Sequence, residues 1–127
     1  EVLKQNEMDQ IFLLAPTSTD KRIQHVVNHA SGFVYYVSLK GVTGAATLDT
    51  SEAAARIAKI KTMTNVPVGV GFGISDAASA KAMGQVADAV IVGSAFVKSF
   101  ATLPADDAVQ ETVNKVKELR AALDELV

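Results

Sequence analysis

Residues Val66–Ser75 read VPVGVGFGIS, and this stretch decides the fold. Its first half is a short, nearly continuous apolar run, as expected for a strand of a parallel sheet that is buried on both faces. Its second half carries Gly71 and Gly73, and a segment with helical periodicity starts at Ser75. A strand that passes through a glycine turn directly into a helix is the repeating unit of an α/β protein.

The same unit recurs along the chain, because short apolar runs alternate with longer amphipathic segments. The predicted strands are Ile11–Ala15, Phe33–Ser38, Val66–Gly71 and Ala89–Gly93. The predicted helices are Thr19–Ala30, Thr50–Met63, Ser75–Met83 and Asp106–Leu126. We expect Ser75 to cap the third helix, with Asp76 near its positive end. In the last helix, an apolar stripe comprises Val109, Val113, Val116, Leu119, Leu123 and Leu126.

No two predicted strands are joined by a tight turn, so the order βαβαβαβα implies parallel strands with right-handed crossovers. We therefore predict an α/β fold made of (β/α) units. Four such units leave one face of the sheet without apolar partners. In a closed (β/α)8 barrel the opposite four strands supply them. The sequence thus predicts half of a barrel, completed by a second copy or by an amino-terminal half.

The composition places the whole chain, residues 1–127, in one ordinary globular domain. It is 49% hydrophobic and 20% charged, and its formal net charge of −2 gives no reason to expect nucleic acid or a membrane as a partner. The absence of cysteine excludes disulfides, zinc–thiolate sites and thiol catalysis, and it fits a cytoplasmic location. The chain lacks an initiator methionine and opens on what reads as the tail of a helix, so we expect upstream sequence.

Two glycine turns carry the strongest functional signal. Gly71 and Gly73 follow the third strand, Gly93 and Ser94 follow the fourth, and a helical segment follows each turn. Turns on neighbouring parallel strands lie at one edge of the sheet. Free backbone amides at a helix N-terminus bind a phosphate dianion, and glycine permits close approach. Helix–strand packing alone also explains a single such turn, but the pair together predicts a phosphate site.

A longer glycine-containing loop follows the second strand, over residues Ser38–Ala46. It is predicted either as a lid over an active site or as an ordinary surface connection.

The order of motifs resembles one family along essentially the whole chain. Residues 32–38, GFVYYVS, followed by Gly41-Val42-Thr43-Gly44, are similar to the sixth strand and loop of tryptophan synthase alpha subunits. Residues 12–17, FLLAPT, resemble their fifth strand. The GFGIS and VGSA segments, at 71–75 and 92–95, resemble their two phosphate-binding turns. The resemblance implies the carboxyl-terminal half of a TIM barrel, strands five to eight.

The resemblance also implies a reaction in tryptophan biosynthesis. The family is a lyase that cleaves indole-3-glycerol phosphate by a retro-aldol step to indole and glyceraldehyde 3-phosphate. Indole then passes to a beta subunit, which carries pyridoxal phosphate, whereas the alpha chain needs no cofactor and no metal. By motif, the implied phosphate ligands are Gly44, Phe72, Gly73, Gly93 and Ser94. The implied indole pocket is Leu13, Phe72 and Ile91, with Tyr35 and Thr43 in supporting roles.

The catalytic glutamate and aspartate that the family requires lie in its amino-terminal half, outside this sequence. Asp49 and Glu52 are explained by a helix start, and Asp88 precedes the fourth strand at the wrong end of the sheet. We therefore predict no catalytic residue in this segment, and no activity of the chain alone. Leu39 and Lys40 stand where some relatives carry Arg and Ser, which puts an arginine role in loop closure in doubt.

Two other readings stay open at this point. One is a different phosphate-binding TIM-barrel enzyme, although such enzymes usually place a catalytic Lys, Glu or Asp on these strands. The other is a non-catalytic half-barrel that associates with itself as a homo-oligomer. His25 and His29 have the i, i+4 spacing of helical metal ligands, but without a third ligand we interpret them as solvent-facing. Met63 and Met83 are predicted core residues.

Overall fold

The computed structural model describes residues 2–37, 50–71 and 73–126, and the fold that they form has the predicted alternation of strands and helices. The strands are Phe12–Leu14 (β1), Val34–Val37 (β2), Val68–Gly71 (β3) and Ala89–Ile91 (β4). The helices are Val2–Gln5 (α1), Asp20–Val27 (α2), Thr50–Lys61 (α3), Ala77–Gly84 (α4), Ser94–Thr102 (α5) and Ala105–Asp124 (α6). No helix in this described part is both long and apolar enough to cross a membrane.

The four strands form one sheet in the order β1-β2-β3-β4, and every pairing is parallel. Phe12 lies beside Val34, and Val34 lies beside Val68. Strands that are consecutive in sequence are therefore adjacent in the sheet, and each crossover connection between them contains a helix. This arrangement confirms the predicted α/β architecture.

The core lies between the sheet and its helices. Leu14, Val34, Tyr36, Val68 and Val70 point to this side and are almost completely buried. Apolar residues of the helices cover them: Ile23 and Val26 of α2, Ala53, Ile57 and Ile60 of α3, Ala80 and Met83 of α4, and Leu119 of α6. Each fully buried aliphatic side chain stabilises the fold by about 1.5–3 kcal/mol. Met83 is a core residue as predicted, and Met63 packs against the same core from the outside.

The other face of the sheet, which we call the concave face, is more open. Leu13 of β1 is 58% exposed there, whereas both faces of β3 are buried. The expected burial on both faces therefore holds for β3 and not for β1 or β4. The reason is local, because β3 carries Gly69 and Gly71 on this side and larger neighbours lie over them.

The predicted apolar stripe of the last helix divides into two parts in the structure. Leu119 is buried, but Val109, Val113 and Val116 are 53%, 41% and 47% exposed. Ala108 and Ala122 complete the buried part instead. The helix packs against α4 and α5, and within the described residues no further strand lies beyond the β4 edge to cover the remaining valines.

Polar contacts tie neighbouring units together. Lys59 of α3 pairs with Asp20 of α2 at 2.6 Å, and Arg56 Nη2 donates to the Pro16 carbonyl at 3.0 Å. The Arg56 contact joins the turn after β1 to α3, the helix of the following unit. The ion pair is exposed, so it contributes little to stability.

Candidate functional site

The two predicted phosphate turns lie side by side at the carboxyl edge of the sheet. β3 ends at Gly71 and β4 ends at Ile91, and these two residues are direct neighbours in the parallel register. Gly73 and Gly93 each follow two residues later. Adjacent strands are separated by about 4.8 Å. The turns therefore start from the same level of the sheet on adjacent strands.

The turn after β3 requires glycine at one position. Gly73 has a φ of +72°, a conformation that other L-residues rarely adopt, and a Cβ added there would meet no atom within 4 Å. Ile74, which follows, is 3% exposed and anchors the turn in the core. Gly73 is thus held at the surface with open space beside it.

The N-terminus of α4 is already capped within the protein, and the cap differs from the predicted one. Asp76, and not Ser75, is the N-cap, and its carboxylate accepts from the Ser79 N–H at 2.8 Å. The Ser79 hydroxyl oxygen accepts from the N–H groups of Ser75 and Asp76, both at 3.3 Å. The hydrogen bonds from Ser79 hold the pKa of Asp76 below its usual value. A fixed negative charge therefore already occupies the positive end of α4.

The N-terminus of α5 differs in this respect. Its N-cap is Gly93, with no side-chain hydrogen bond to the first turn. A Cβ added at Gly93 would meet no atom of the described residues within 4 Å, and Ser94 is exposed. The first N–H groups of a helix have no partner within the helix, so this end can receive an external acceptor. Of these two helix ends at this edge, that of α4 has a side-chain cap and that of α5 has none.

Tyr35 lies over β3 on the concave face. The ideal Cβ position of Gly71 is 2.8 Å from Tyr35 Cε2 and closer still to the Tyr35 hydroxyl oxygen. Gly69 is covered in the same way, with Ile91 Cδ1 at 3.0 Å and Phe33 Cδ2 at 3.2 Å from its ideal Cβ position. The glycines of β3 thus create the space that the larger side chains occupy. Tyr36 points to the opposite face and is 1% exposed, as the predicted alternation requires.

Leu13 and Ile91, predicted to flank an indole ring, occupy the two edge strands of the same face. Leu13 neighbours Tyr35 in the register, and Ile91 neighbours Gly71. Leu13 is exposed on that face, and Ile91 is partly buried against Gly69. Apolar side chains therefore lie on both sides of the glycines of β3. Phe33, directly before β2, belongs to this group as well. Its position two residues before Tyr35 in the predicted strand could have identified it.

The remaining predicted site residues fall into two groups. Thr43, Gly44 and Phe72 lie outside the described residues, as does the loop at residues 38–46. His25 on α2 and His29, just beyond the end of that helix, are exposed with ring centroids 4.7 Å apart, and the described ranges contain no group of three potential metal ligands.

Asp88 lies at the opposite edge of the sheet, as its place before β4 predicted. Its Oδ2 accepts from the Val68 N–H at 2.9 Å, and its Oδ1 accepts from Lys61 Nζ at 2.6 Å. The residue joins the starts of two strands and is remote from the turns. On the concave face, the described strand residues carry no carboxylate.

Comparison with known proteins agrees with this geometry. A family model described as "Tryptophan synthase alpha chain" matches residues 1–127. A tryptophan synthase alpha chain of Acinetobacter baumannii is 89% identical over 126 residues, which cover 99% of this chain and 47% of that protein. The corresponding protein of Acinetobacter baylyi is 86% identical over 126 residues, with the same coverage. The chain spans about half the length of the curated relatives it matches.

The fold also matches about half of the length of solved structures. A crystal structure of tryptophan synthase subunit alpha from Legionella pneumophila superposes with a TM-score of 0.79 at 29% identity, covering 98% of this chain and 45% of that chain. Such structures are TIM barrels, so the match to less than half of one confirms the predicted half-barrel. Because the family model matches from the first residue to the last, the chain belongs to the tryptophan synthase alpha chain family.

Proposed function

We propose that this chain is the phosphate-binding half of a tryptophan synthase alpha chain. The reaction is the retro-aldol cleavage of indole-3-glycerol phosphate to indole and glyceraldehyde 3-phosphate, in the cytoplasm. The observation that carries the proposal is the pair of open glycine turns, Gly73 and Gly93, at one edge of the sheet. Membership of the tryptophan synthase alpha chain family indicates which phosphate-bearing substrate such an edge would bind, namely indole-3-glycerol phosphate.

The phosphate binds mainly at α5 in this proposal. Its first turn offers backbone N–H groups that no side chain caps, and Gly93 leaves room for a dianion. The α4 end contributes through the Gly73 turn and not through the helix end itself, since Asp76 holds a negative charge there. Ser94 adds a hydroxyl at the start of α5. Gly44 and Phe72 complete the proposed phosphate set by family motif, outside the described residues.

The indole ring lies on the concave face, between the apolar side chains of the edge strands. Leu13 and Ile91 flank it together with Phe72, and Tyr35 lines the floor where β3 has no side chains. Thr43 orients a catalytic aspartate from the lid loop. In this placement the indole ring lies on the sheet and the phosphate lies at its carboxyl edge. The same order holds in the substrate, where the glycerol chain joins the indole ring to the phosphate.

The chain contributes no acid–base pair to the chemistry. Proton transfer at indole needs a positioned carboxyl group within hydrogen-bond reach of the substrate. The described strand residues of the concave face offer only the phenol of Tyr35. The remaining half of the relatives' length supplies the glutamate and aspartate in this proposal. The beta subunit, with its pyridoxal phosphate, is the partner that receives indole from the completed enzyme.

The substitution Gly93→Asp tests the phosphate site. It places a carboxylate where the dianion should lie, so we expect calorimetric binding of glycerol phosphate to be lost. The fold should persist, because the position has no neighbouring atom within 4 Å of an added Cβ. Circular dichroism of the variant checks that point.

Asn114→Asp is the matched control, since it adds the same charge on the exposed side of α6. It should leave the affinity for glycerol phosphate unchanged. Unaltered binding in Gly93→Asp, or equal losses in both variants, would show that the anion binds elsewhere.

A further inference from the structure

Helix α6 packs against both helices that begin at the two glycine turns, α4 and α5. Its contact with α4 extends to the carboxyl ends of the two helices. A Cβ added at Gly84 of α4 would collide with Leu123 of α6, and Lys81 forms an ion pair with Glu125 at the end of α6. The position of α6 along α4 is therefore fixed by packing as well as by charge.

Two side chains of α6 reach the start of α4. Lys115 Nζ donates to the Ser75 carbonyl at 3.1 Å, and Glu118 Oε1 accepts from the Ala77 N–H at 3.4 Å. Residues three apart are neighbours on a helix surface, so both contacts come from the side of α6 that faces α4. Lys115 is partly buried there, which restricts the positions that its ammonium group can take.

The Lys115 contact acts on the turn that carries Gly73. Ser75 is held by both of its backbone polar groups, because its N–H donates to the Ser79 hydroxyl oxygen at 3.3 Å and its carbonyl accepts from Lys115. Ile74, between Gly73 and Ser75, is buried in the core. The orientation of the Gly73 turn is thus set by the core on one side and by α6 on the other.

The ammonium group of Lys115 also lies near negative charge. The hydrogen bonds from Ser79 hold the pKa of Asp76 below its usual value, and the positive charge of Lys115 acts in the same direction. A phosphate dianion at the Gly73 turn would be repelled by the carboxylates of Asp76 and Glu118. A cation beside these carboxylates offsets the repulsion.

We infer that Lys115 is a positioning residue for the phosphate group of the substrate. It fixes the Gly73 turn through the Ser75 carbonyl, and it offsets the carboxylate charges at the start of α4. The inference rests on the proposed phosphate site at Gly73 and Gly93, and it adds to that site a residue of a later helix. Helix α6 thereby influences a site to which it contributes no phosphate ligand.

Calorimetry with glycerol phosphate tests this role in the purified chain. Lys115→Met keeps the apolar stem but removes the charge and the N–H donors, so we expect the affinity to fall about threefold to tenfold at low ionic strength. Lys115→Arg keeps a charge and N–H donors, and it should bind within about twofold of the parent chain.

Lys117→Met is the matched control. It removes the same charge two residues along α6, at an exposed position that helical rotation of about 200° turns away from the α4 side. Its affinity for glycerol phosphate should change less than about twofold, because the charge lies farther from the turn. Circular dichroism and urea midpoints check that all three variants fold.

The dependence on salt separates the role of the charge from altered packing. Raising the ionic strength from about 0.01 M to about 0.15 M shortens the Debye length from about 30 Å to about 8 Å. The difference in affinity between Lys115→Met and the parent chain should therefore shrink. A loss caused only by altered packing of α6 would not depend on salt, and Lys115→Arg would not restore the affinity.

Equal affinities of Lys115→Met and the parent chain, or equal losses in Lys115→Met and Lys117→Met, would overturn the inference and leave the phosphate site intact. A loss that is independent of salt, or that is equally large in Lys115→Arg, would overturn it as well. Unaltered binding in Gly93→Asp would instead refute the phosphate site itself, and the role of Lys115 with it.

Discussion

At Gly71, the absence of a side chain allows the Tyr35 ring to lie against the backbone of β3. Gly71→Ala should therefore force the ring away and destabilise the fold by about 1–3 kcal/mol, the usual effect of overpacking. Urea unfolding measures this loss.

A double variant separates steric contact from other effects of the alanine at Gly71. In a Tyr35→Ala background the ring is gone, so Gly71→Ala should lose most of its penalty, with a coupling above about 0.5 kcal/mol. Equal penalties in both backgrounds would mean that the contact with Tyr35 is not the cause.

Asp88 gives the fold a dependence on pH. Burial by itself would raise the pKa of this carboxyl, but the hydrogen bonds from Lys61 and the Val68 N–H outweigh it and hold the pKa below the ordinary value of 3.8. A carboxyl with a depressed pKa in the folded state stabilises the fold above its unfolded pKa, and this contribution is lost as the pH falls. In Asp88→Asn, the urea midpoint should consequently decline less than in the parent chain below about pH 4. Parallel declines would refute this role.

Among the elements, α4 shows what the sequence could and could not predict. Its existence, its inward residue Met83 and its place after a glycine turn were predicted from the sequence and are confirmed. The expected serine cap was wrong. Ser75 and Asp76 are adjacent residues that can both cap a helix, and the choice depends on Ser79, which completes a reciprocal pair of hydrogen bonds with Asp76. A serine in that role is not the usual signature, which has Glu or Gln.

The ends of the strands also could not be predicted from the sequence. The third strand was predicted from Val66 but begins at Val68, whose N–H is bound by Asp88 from a distant part of the chain. Pro67 has no N–H to give to a ladder. The direction, order and faces of the strands follow from local apolar patterns, whereas their ends follow from tertiary contacts. For the candidate site, the same contrast holds: the shared edge was predictable, but the unequal capping of α4 and α5 was not.

The hydrogen bonds between Asp76 and Ser79 at the start of α4 can be tested by substitution. Asp76→Ala removes the acceptor for the Ser79 N–H and should destabilise the protein by about 0.5–2 kcal/mol. Ser75→Ala is the matched control one residue away and should have a smaller effect, because the hydroxyl of Ser75 makes no capping bond. Urea midpoints of the two variants decide the matter. If Ser75→Ala destabilised the protein more than Asp76→Ala, Ser75 would be the N-cap after all.

For the whole molecule, the proposed function assigns substrate binding to this chain but no acid–base group. The open turns and the glycine-floored concave face belong to this half, while the described part of that face bears no carboxylate. Binding without an acid–base group leaves the proton transfer of a retro-aldol cleavage unassisted, and such assistance typically contributes about 10²–10⁴-fold in rate.

The isolated chain should therefore release no indole from indole-3-glycerol phosphate above the buffer rate. A colorimetric or fluorescence assay for indole measures this. The full-length alpha chain of Acinetobacter baumannii, 89% identical over the shared segment, is the positive control. Turnover that scales with chain concentration and survives repurification would contradict the expectation. If Tyr35→Phe also removed that turnover, the phenol on the concave face would be the proton donor, because it is the one titratable group among the described strand residues there.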